Sequence, residues 1–484
     1  MSTNTLVAKI WSFCDTLRDD GVTYGDYIEQ ITYLLFLKMA DEYEKNPNYS
    51  NYNIPQDYKW GTFLEPNIST KELPFHYHAA LTALAESGGG MLSKIYEKAQ
   101  NKISDPSKLR KLIDLINSET WITDTTDIKG DIYESLLQKN AESSGAGQYF
   151  TPRAVIEAIV ACINPKPNET VADPSCGTGG FFLGALNHIK SNYSLNRDEQ
   201  EFLKFHTFKG WEIVPETARL CLMNLFLHGI GDLRNTPEIK VTDSLKDSFE
   251  QVNIVLANPP FGKSSSDIPT IDEKQDKKDG YFLRKDFWAT TSNKQLAFLQ
   301  HIVTMLKDGG RAAVVLPDNV LFEGGAGEVI RKKLLEDCNL HTILRLPTGI
   351  FYAQGVKSNV LFFEKTKSNP TKEIWIYDYR TNIHHTLKTK QLKIVHLAEF
   401  LTLYNKANLT DRKENWNLEN GRWRKYTIEE VLTRDKTNLD IFWLKDDSLI
   451  DLDNLPDAET LIDTIIENIE SALVSFKTIK ESLE

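Results

Sequence analysis

Four residues in this chain have the types and spacing for chemistry on an exocyclic amine: Asn258, Pro259, Pro260 and Phe261. An Asn side-chain oxygen and a neighbouring backbone carbonyl can each accept one N–H of an –NH2 group. Proline fixes φ and removes its own donor, so the carbonyls of such a turn hold their direction. Asn258 precedes a proline and is thereby pre-set in an extended conformation. Phe261 offers a face on which a flat base, drawn out of its duplex, can stack. Standing alone, the four residues also fit an ordinary turn after a strand.

A second group lies upstream. The run Asp173-Pro-Ser-Cys-Gly177-Thr178-Gly179-Gly180 follows a short apolar stretch and opens a helical one. Its glycines let the backbone approach a ligand without interference from Cβ. The spacing is neither GxGxxG nor that of a phosphate-binding loop with Gly-Lys-Ser/Thr, which argues against NAD and ATP. Glu212 ends the next strand-like run, where a carboxylate can accept both hydroxyls of a ribose. Asp243 is read as ending a third strand and accepting from an adenine amino group. Each acidic residue alone would be an ordinary surface or capping residue. Three at successive strand ends, beside a glycine loop, describe a pocket for an adenosine with a non-phosphate tail. S-adenosylmethionine is the natural candidate. Further upstream, Gln148, Tyr149, Phe150, Thr151, Pro152 and Arg153 precede an apolar helical run. Thr151 reads as an N-cap and Pro152 as the first helical residue. The helix N-terminus then faces the methionine carboxylate, with Tyr149 and Phe150 as walls.

These residues need a scaffold. Strand-like runs at Thr170–Asp173, Phe208–Ile213, Ile239–Thr242, Asn253–Ala257, Arg311–Leu316, Leu340–Leu346 and Asn359–Phe363 alternate with helical stretches. The helical ones include Ala154–Ile163, Glu216–Leu227, Leu296–Leu306 and Glu328–Glu336. That alternation predicts an α/β fold with a doubly wound, mostly parallel sheet. Ligands on such sheets bind outside the strand carboxyl ends. Residues 1–145 read as a helical N-terminal domain for docking and DNA enclosure. Its helices are expected near Leu6–Leu17, Tyr27–Tyr43 and Ile128–Leu137, with breaks at 46–57 and 88–90. Residues 146–385 carry the sheet. The polar stretch 262–294 reads as a long loop, either a flap over substrate or a plain connector. Residues 386–450 form an irregular extension, in which Trp416 and Arg422–Lys425 read as a packed surface turn. From 451 to 484 nine acidic residues accompany two lysines. Ile462, Ile466, Ile469, Leu473 and Phe476 there recur at heptad spacing, which predicts an acidic amphipathic helix for a protein partner.

The 484 residues are enough for several domains, and the composition is that of a globular protein. No apolar run is long enough for a membrane span, and the start lacks the pattern of a signal peptide. Five scattered cysteines without a CxxC pair argue against a metal site or a disulfide framework and fit a cytoplasmic setting. The net charge of −12 is wrong for a protein that grips DNA alone. Either a local basic channel or a partner must supply DNA affinity, and the composition favours a partner.

Taken together, residues 148–153, 173–180 and 258–261 resemble amino-methyltransferase motifs in the gamma-class order. The runs Gly309–Gly325 and Leu344–Gly355 extend the likeness, which covers nearly the whole chain. The chain resembles the modification subunit of type I restriction–modification systems. The resemblance implies base flipping and methyl transfer from S-adenosylmethionine to adenine N6 in double-stranded DNA. It implies that residues 148–153, Thr178–Gly180 and Glu212 contact the cofactor and that Asn258–Phe261 hold the adenine. It also implies a specificity subunit, one for two modification subunits, to which motor-nuclease restriction subunits can add. The residues alone leave open a glutamine-amide acceptor, cytosine N4, and a cofactor-binding assembly scaffold.

Overall fold

The structure, a computed structural model, describes residues 22–45, 54–86, 90–119, 121, 130, 133–139, 150–232, 234–351, 356–387, 390–418 and 420–445, with the separate positions 462, 466, 469 and 473. In chain order its elements begin with α1 (Tyr24–Glu44), α2 (Leu73–Glu86), α3 (Gly90–Tyr96), α4 (Pro106–Asn117), α5 (Arg153–Ile163), β1 (Val171–Asp173), α6 (Gly180–Asn192) and α7 (Arg197–Phe205). Next come β2 (Phe208–Glu212), α8 (Pro215–Leu227), β3 (Glu238–Val241), β4 (Val252–Ala257), β5 (Ile268–Thr270), β6 (Tyr281–Leu283), α9 (Lys294–Met305) and β7 (Leu306–Pro317). The last are α10 (Ala326–Asp337), β8 (Cys338–Arg345), β9 (Ser358–Lys365), β10 (Glu373–Asp378), α11 (Ala398–Tyr404), β11 (Trp423–Thr427) and α12 (Ile428–Leu432). The helix expected at 6–17, the loop at 46–53, Gly88 and Gly89, the pair Gln148 and Tyr149, and Phe476 lie outside the described residues.

Two compact units divide the chain. The first comprises Met1–Gly147, Gly177–Gly179 and Leu195–Val241. Its core is α1, where Tyr27, Ile28, Ile31, Leu34, Leu35 and Phe36 are all buried. That helix is buried on nearly every side, its polar Gln30 and Thr32 included, because other elements cover it. Phe36 meets Phe226 of α8 at 5.4 Å between ring centroids. Arg219, also on α8, donates to the Glu29 carboxylate and to the Glu97 carbonyl. The N-terminal helices therefore share a core with α8. In the same unit β2 and β3 pair in parallel, with Glu212 opposite Val241.

The second unit comprises Gln148–Cys176, Gly180–Ser194 and Thr242–Glu484. Its main sheet runs β11-β10-β8-β9-β7-β4-β1. The pairs β1–β4, β4–β7 and β8–β10 are parallel. Strand β9 runs antiparallel to both β7 and β8. Helices α5 and α6 approach closely, because a Cβ on Gly184 would lie 2.5 Å from the Ile156 methyl. Seven strands stand where the apolar runs placed them, and the alternation with helices is as expected.

Two expectations need correction. The stretch 262–294 is neither a bare connector nor an unstructured flap. Strands β5 and β6 pair in parallel inside it, and Lys263 bridges to Asn293. Arg284 holds the ribbon down: it donates to the Leu245 carbonyl at 2.7 Å, pairs with Asp286 and lies 4.0 Å over the Phe287 ring. Phe287, with Leu245, Ala297 and Phe298, forms a small apolar cluster against which Phe282 packs. The polar composition concealed these few anchoring aromatics. Likewise, Arg422–Lys425 is not a surface turn. Strand β11 pairs antiparallel with β10, and Trp423 stacks on Trp375 at 5.2 Å, fully buried. Among the described residues no helix is long and apolar enough to cross a membrane.

Candidate active site

Strand β4 is buried along nearly all its length and ends at Ala257, which delivers Asn258 to the carboxyl edge of the sheet. Pro259 is buried, Asn258 and Phe261 are half-buried and Pro260 is exposed. The Asn258 amide is held on one side only. Its Nδ2 donates to the Thr151 hydroxyl at 3.1 Å. Its Oδ1 is buried and has no hydrogen-bond partner among the described residues. An unpaired buried acceptor costs about 1–3 kcal/mol, and such atoms in folded proteins call for an explanation. An amine donor brought by substrate supplies one. The Ser175 hydroxyl reaches the Asn258 carbonyl at 3.4 Å, and the Ser175 N–H donates to the Asp173 carboxylate at 2.9 Å.

Thr151 does not cap α5. Pro152 is the N-cap, with ψ of 135°, and its carbonyl accepts from Val155 N and Ile156 N. Pro152 is thus one position earlier than the first helical residue, and Thr151 is left to serve Asn258. Phe150 is half-buried and Arg153 is exposed.

In the first unit, both oxygens of Glu212 are engaged by backbone. Gly177 N donates to one at 3.1 Å and Val214 N to the other at 2.9 Å. Burial pushes the Glu212 carboxyl above its ordinary range, and these N–H groups pull the other way. Gly177 and Gly179 both adopt positive φ, 54° and 84°. A side chain at Gly179 would be strained and would press on the Cys221 sulfur at 3.0 Å. The Thr178 carbonyl accepts from Asn224 at 2.9 Å. Ile213, directly after Glu212, is 65% exposed.

Asp243 is not at the end of β3, which stops at Val241. It starts the following turn, in the second unit, and its carboxylate accepts from Leu245 N at 3.0 Å. The second unit also holds Thr151, Asp173, Gly180 and Asn258–Phe261, whereas Gly177–Gly179 and Glu212 belong to the first. In the first unit the strand-end carboxylate of Glu212 beside the positive-φ glycine turn suits an adenosine cofactor, and in the second the buried Asn258 amide oxygen suits an amine acceptor.

The family model described as N-6 DNA Methylase matches residues 124–442, and that described as HsdM N-terminal domain matches residues 6–116. The StySPI type I restriction enzyme methylase subunit of Salmonella potsdam is 40% identical, over 98% of this chain and 94% of its own length. The chain belongs to the type I methylase-subunit branch of the N-6 DNA methylases. The EcoKI methylase subunit of Escherichia coli (strain K12) agrees, at 39% identity over 100% of this chain and 96% of its own length. A solved structure from work on complex assembly and conformational transition of a type I R-M system aligns over 100% of this chain and 99% of that one. Its identity is 26% and its TM-score 0.73. The chain is accordingly a DNA adenine N6-methyltransferase, a modification subunit whose methyl donor is S-adenosylmethionine. Family membership selects adenine N6 over cytosine N4 and over a glutamine amide.

Proposed function

We propose that Asn258, Pro259, Pro260 and Phe261 receive the flipped target adenine and align its N6 for methyl transfer. The observation that carries this reading is the buried Oδ1 of Asn258, which has no hydrogen-bond partner among the described residues and is held in place through Nδ2 by Thr151. Oδ1 accepts one N6 hydrogen and the Pro259 carbonyl accepts the other, while Phe261 stacks on the ring. Adenine N6 is a weak nucleophile because its lone pair is delocalised into the ring. Two acceptors draw that lone pair out of conjugation and stabilise the positive charge that develops on N6. Holding the nitrogen in line supplies the rest. The cofactor, when bound, supplies an electrophilic methyl on a positively charged sulfur. Glu212 accepts its ribose hydroxyls, Asp243 its adenine amino group, and Gly177–Gly180 with Asp173 shape the backbone against it. Residues 148–153 and the amino end of α5 face its carboxylate.

The chain works within a restriction–modification assembly. In our reading two copies join one specificity subunit, which chooses the site, and motor-nuclease subunits can add to that trimer. This partnership accounts for a DNA enzyme with a net charge of −12. The N-terminal helices serve docking and DNA enclosure. The segment 451–484 provides the partner-binding helix, of which Ile462, Ile466, Ile469 and Leu473 are helical and about half exposed or more. The test is Asn258→Ala in the co-expressed complex. Assembly and cofactor binding should persist and methylation of DNA should be lost; ordinary methylation by this variant would overturn the role given to Asn258.

A further inference from the structure

Gln295 is a polar residue in the first turn of α9 and is only 3% exposed. A buried amide must find partners, and Gln295 finds them on Gly262, the residue directly after Phe261. Oriented as its neighbours require, its oxygen accepts from Gly262 N at 2.6 Å and its nitrogen donates to the Gly262 carbonyl at 3.3 Å and to Asn293 Oδ1. Lys294 N donates to the same Gly262 carbonyl at 3.0 Å. Both backbone polar groups of Gly262 are therefore gripped by the start of one helix.

That helix start is itself anchored. Asn293 caps α9 by accepting from Leu296 N, and its Nδ2 donates to the Glu323 carboxylate at 2.8 Å. Asn319 donates to the same Glu323 oxygen at 3.1 Å. On the other side Ser264 N donates to the Ser292 carbonyl at 2.8 Å. Gly262 has φ of 105° with open space around its missing Cβ, so conformation alone requires glycine there. A residue without a side chain next to the stacking aromatic would swivel freely if nothing held its peptide groups.

We propose that Gln295 is a positioning residue for adenine methylation: its amide clamps the Gly262 peptides and thereby fixes the plane of Phe261, with Asn293 and Glu323 as the anchor. This inference rests on the reading that Phe261 stacks on the flipped adenine. The hydrogen bonds of the Gln295 amide go to Gly262 and Asn293, so its loss acts through alignment.

The experiment uses the chain co-purified with a co-expressed specificity subunit. Methyl transfer is measured on an unmodified duplex carrying the site that sequencing of methylated host DNA identifies, and stacking on the same duplex with 2-aminopurine in place of the target adenine. Gln295→Met retains length and removes all three side-chain hydrogen bonds. The expected result is a kcat lower by roughly tenfold or more, with cofactor Kd unchanged. The 2-aminopurine emission should also shift towards that of Phe261→Ala. A wild-type kcat and emission for Gln295→Met, beside a changed Phe261→Ala, would refute the clamp and leave the stacking reading intact. An unchanged Phe261→Ala would remove the stacking reading and the clamp with it. Should Gln295→Met fail to fold, Asn293→Ser decides by the same readouts. It keeps a capping oxygen but drops the bonds to Glu323 and Gln295.

Discussion

Thr151 offers the sharpest test of how the site is held together, because replacing it by valine removes one hydroxyl and little volume. That hydroxyl accepts from Asn258 Nδ2 at 3.1 Å, and Thr151 is buried. In Thr151→Val the amide nitrogen faces a methyl group. The penalty for an unpaired polar group is about 1–3 kcal/mol, and Asn258 is only half-buried, which places the expected cost in the lower part of that range. The amide avoids the penalty by rotating away from valine, and rotation carries Oδ1 off the adenine amine. At 1.36 kcal/mol per tenfold, kcat should fall by roughly 5- to 30-fold. Thr151→Ser retains the hydroxyl and should stay within about threefold of wild type. The assay is methyl transfer from labelled S-adenosylmethionine to DNA by the assembled complex, with cofactor Kd measured separately by calorimetry. A Thr151→Val enzyme with wild-type kcat refutes the reasoning. A weakened cofactor Kd with unchanged kcat refutes it differently, by showing that Thr151 serves the cofactor alone and that its bond to Asn258 does not matter for alignment.

Two further outcomes follow from the same geometry. Burial holds the Glu212 carboxyl above its ordinary range, so on acidification it loses its charge before an exposed Glu would. Cofactor affinity should therefore weaken as pH falls through that raised value, and Glu212→Gln should flatten the dependence, in titrations from about pH 5 to about pH 8. The stability linkage has the opposite sign: a raised acid favours the folded state when protonated. Its contribution is full below the unfolded pKa and is lost as pH rises through the folded one. In the segment proposed to bind the partner, Ile466→Asp with Ile469→Asp puts two charges at helical positions that are 46% and 62% exposed. Co-purification with the specificity subunit should be lost while the unfolding midpoint of the chain alone stays put. Intact co-purification would sink that docking surface.

Sequence alone determined the chemistry and most of the scaffold. The turn at 258–261 and the loop at 173–180 are legible because their conformation is local: proline, glycine and a strand end set backbone direction within a few residues. Strands β1, β4, β8 and β9 and the 312–316 stretch of β7 announce themselves as apolar runs because most of their residues are buried. What escaped depends on contacts between distant segments. Strand β11 reads as a basic surface turn until β10 supplies Trp375 for Trp423 to stack on. The ribbon β5–β6 reads as polar linker until Arg284 finds the Leu245 carbonyl, 39 residues away. Thr151 and Asn258 are 107 residues apart, and no periodicity or spacing relates them. A helix start can tell a reader that a hydroxyl is present; only the folded chain decides whether it caps its own helix or holds the amide of another strand.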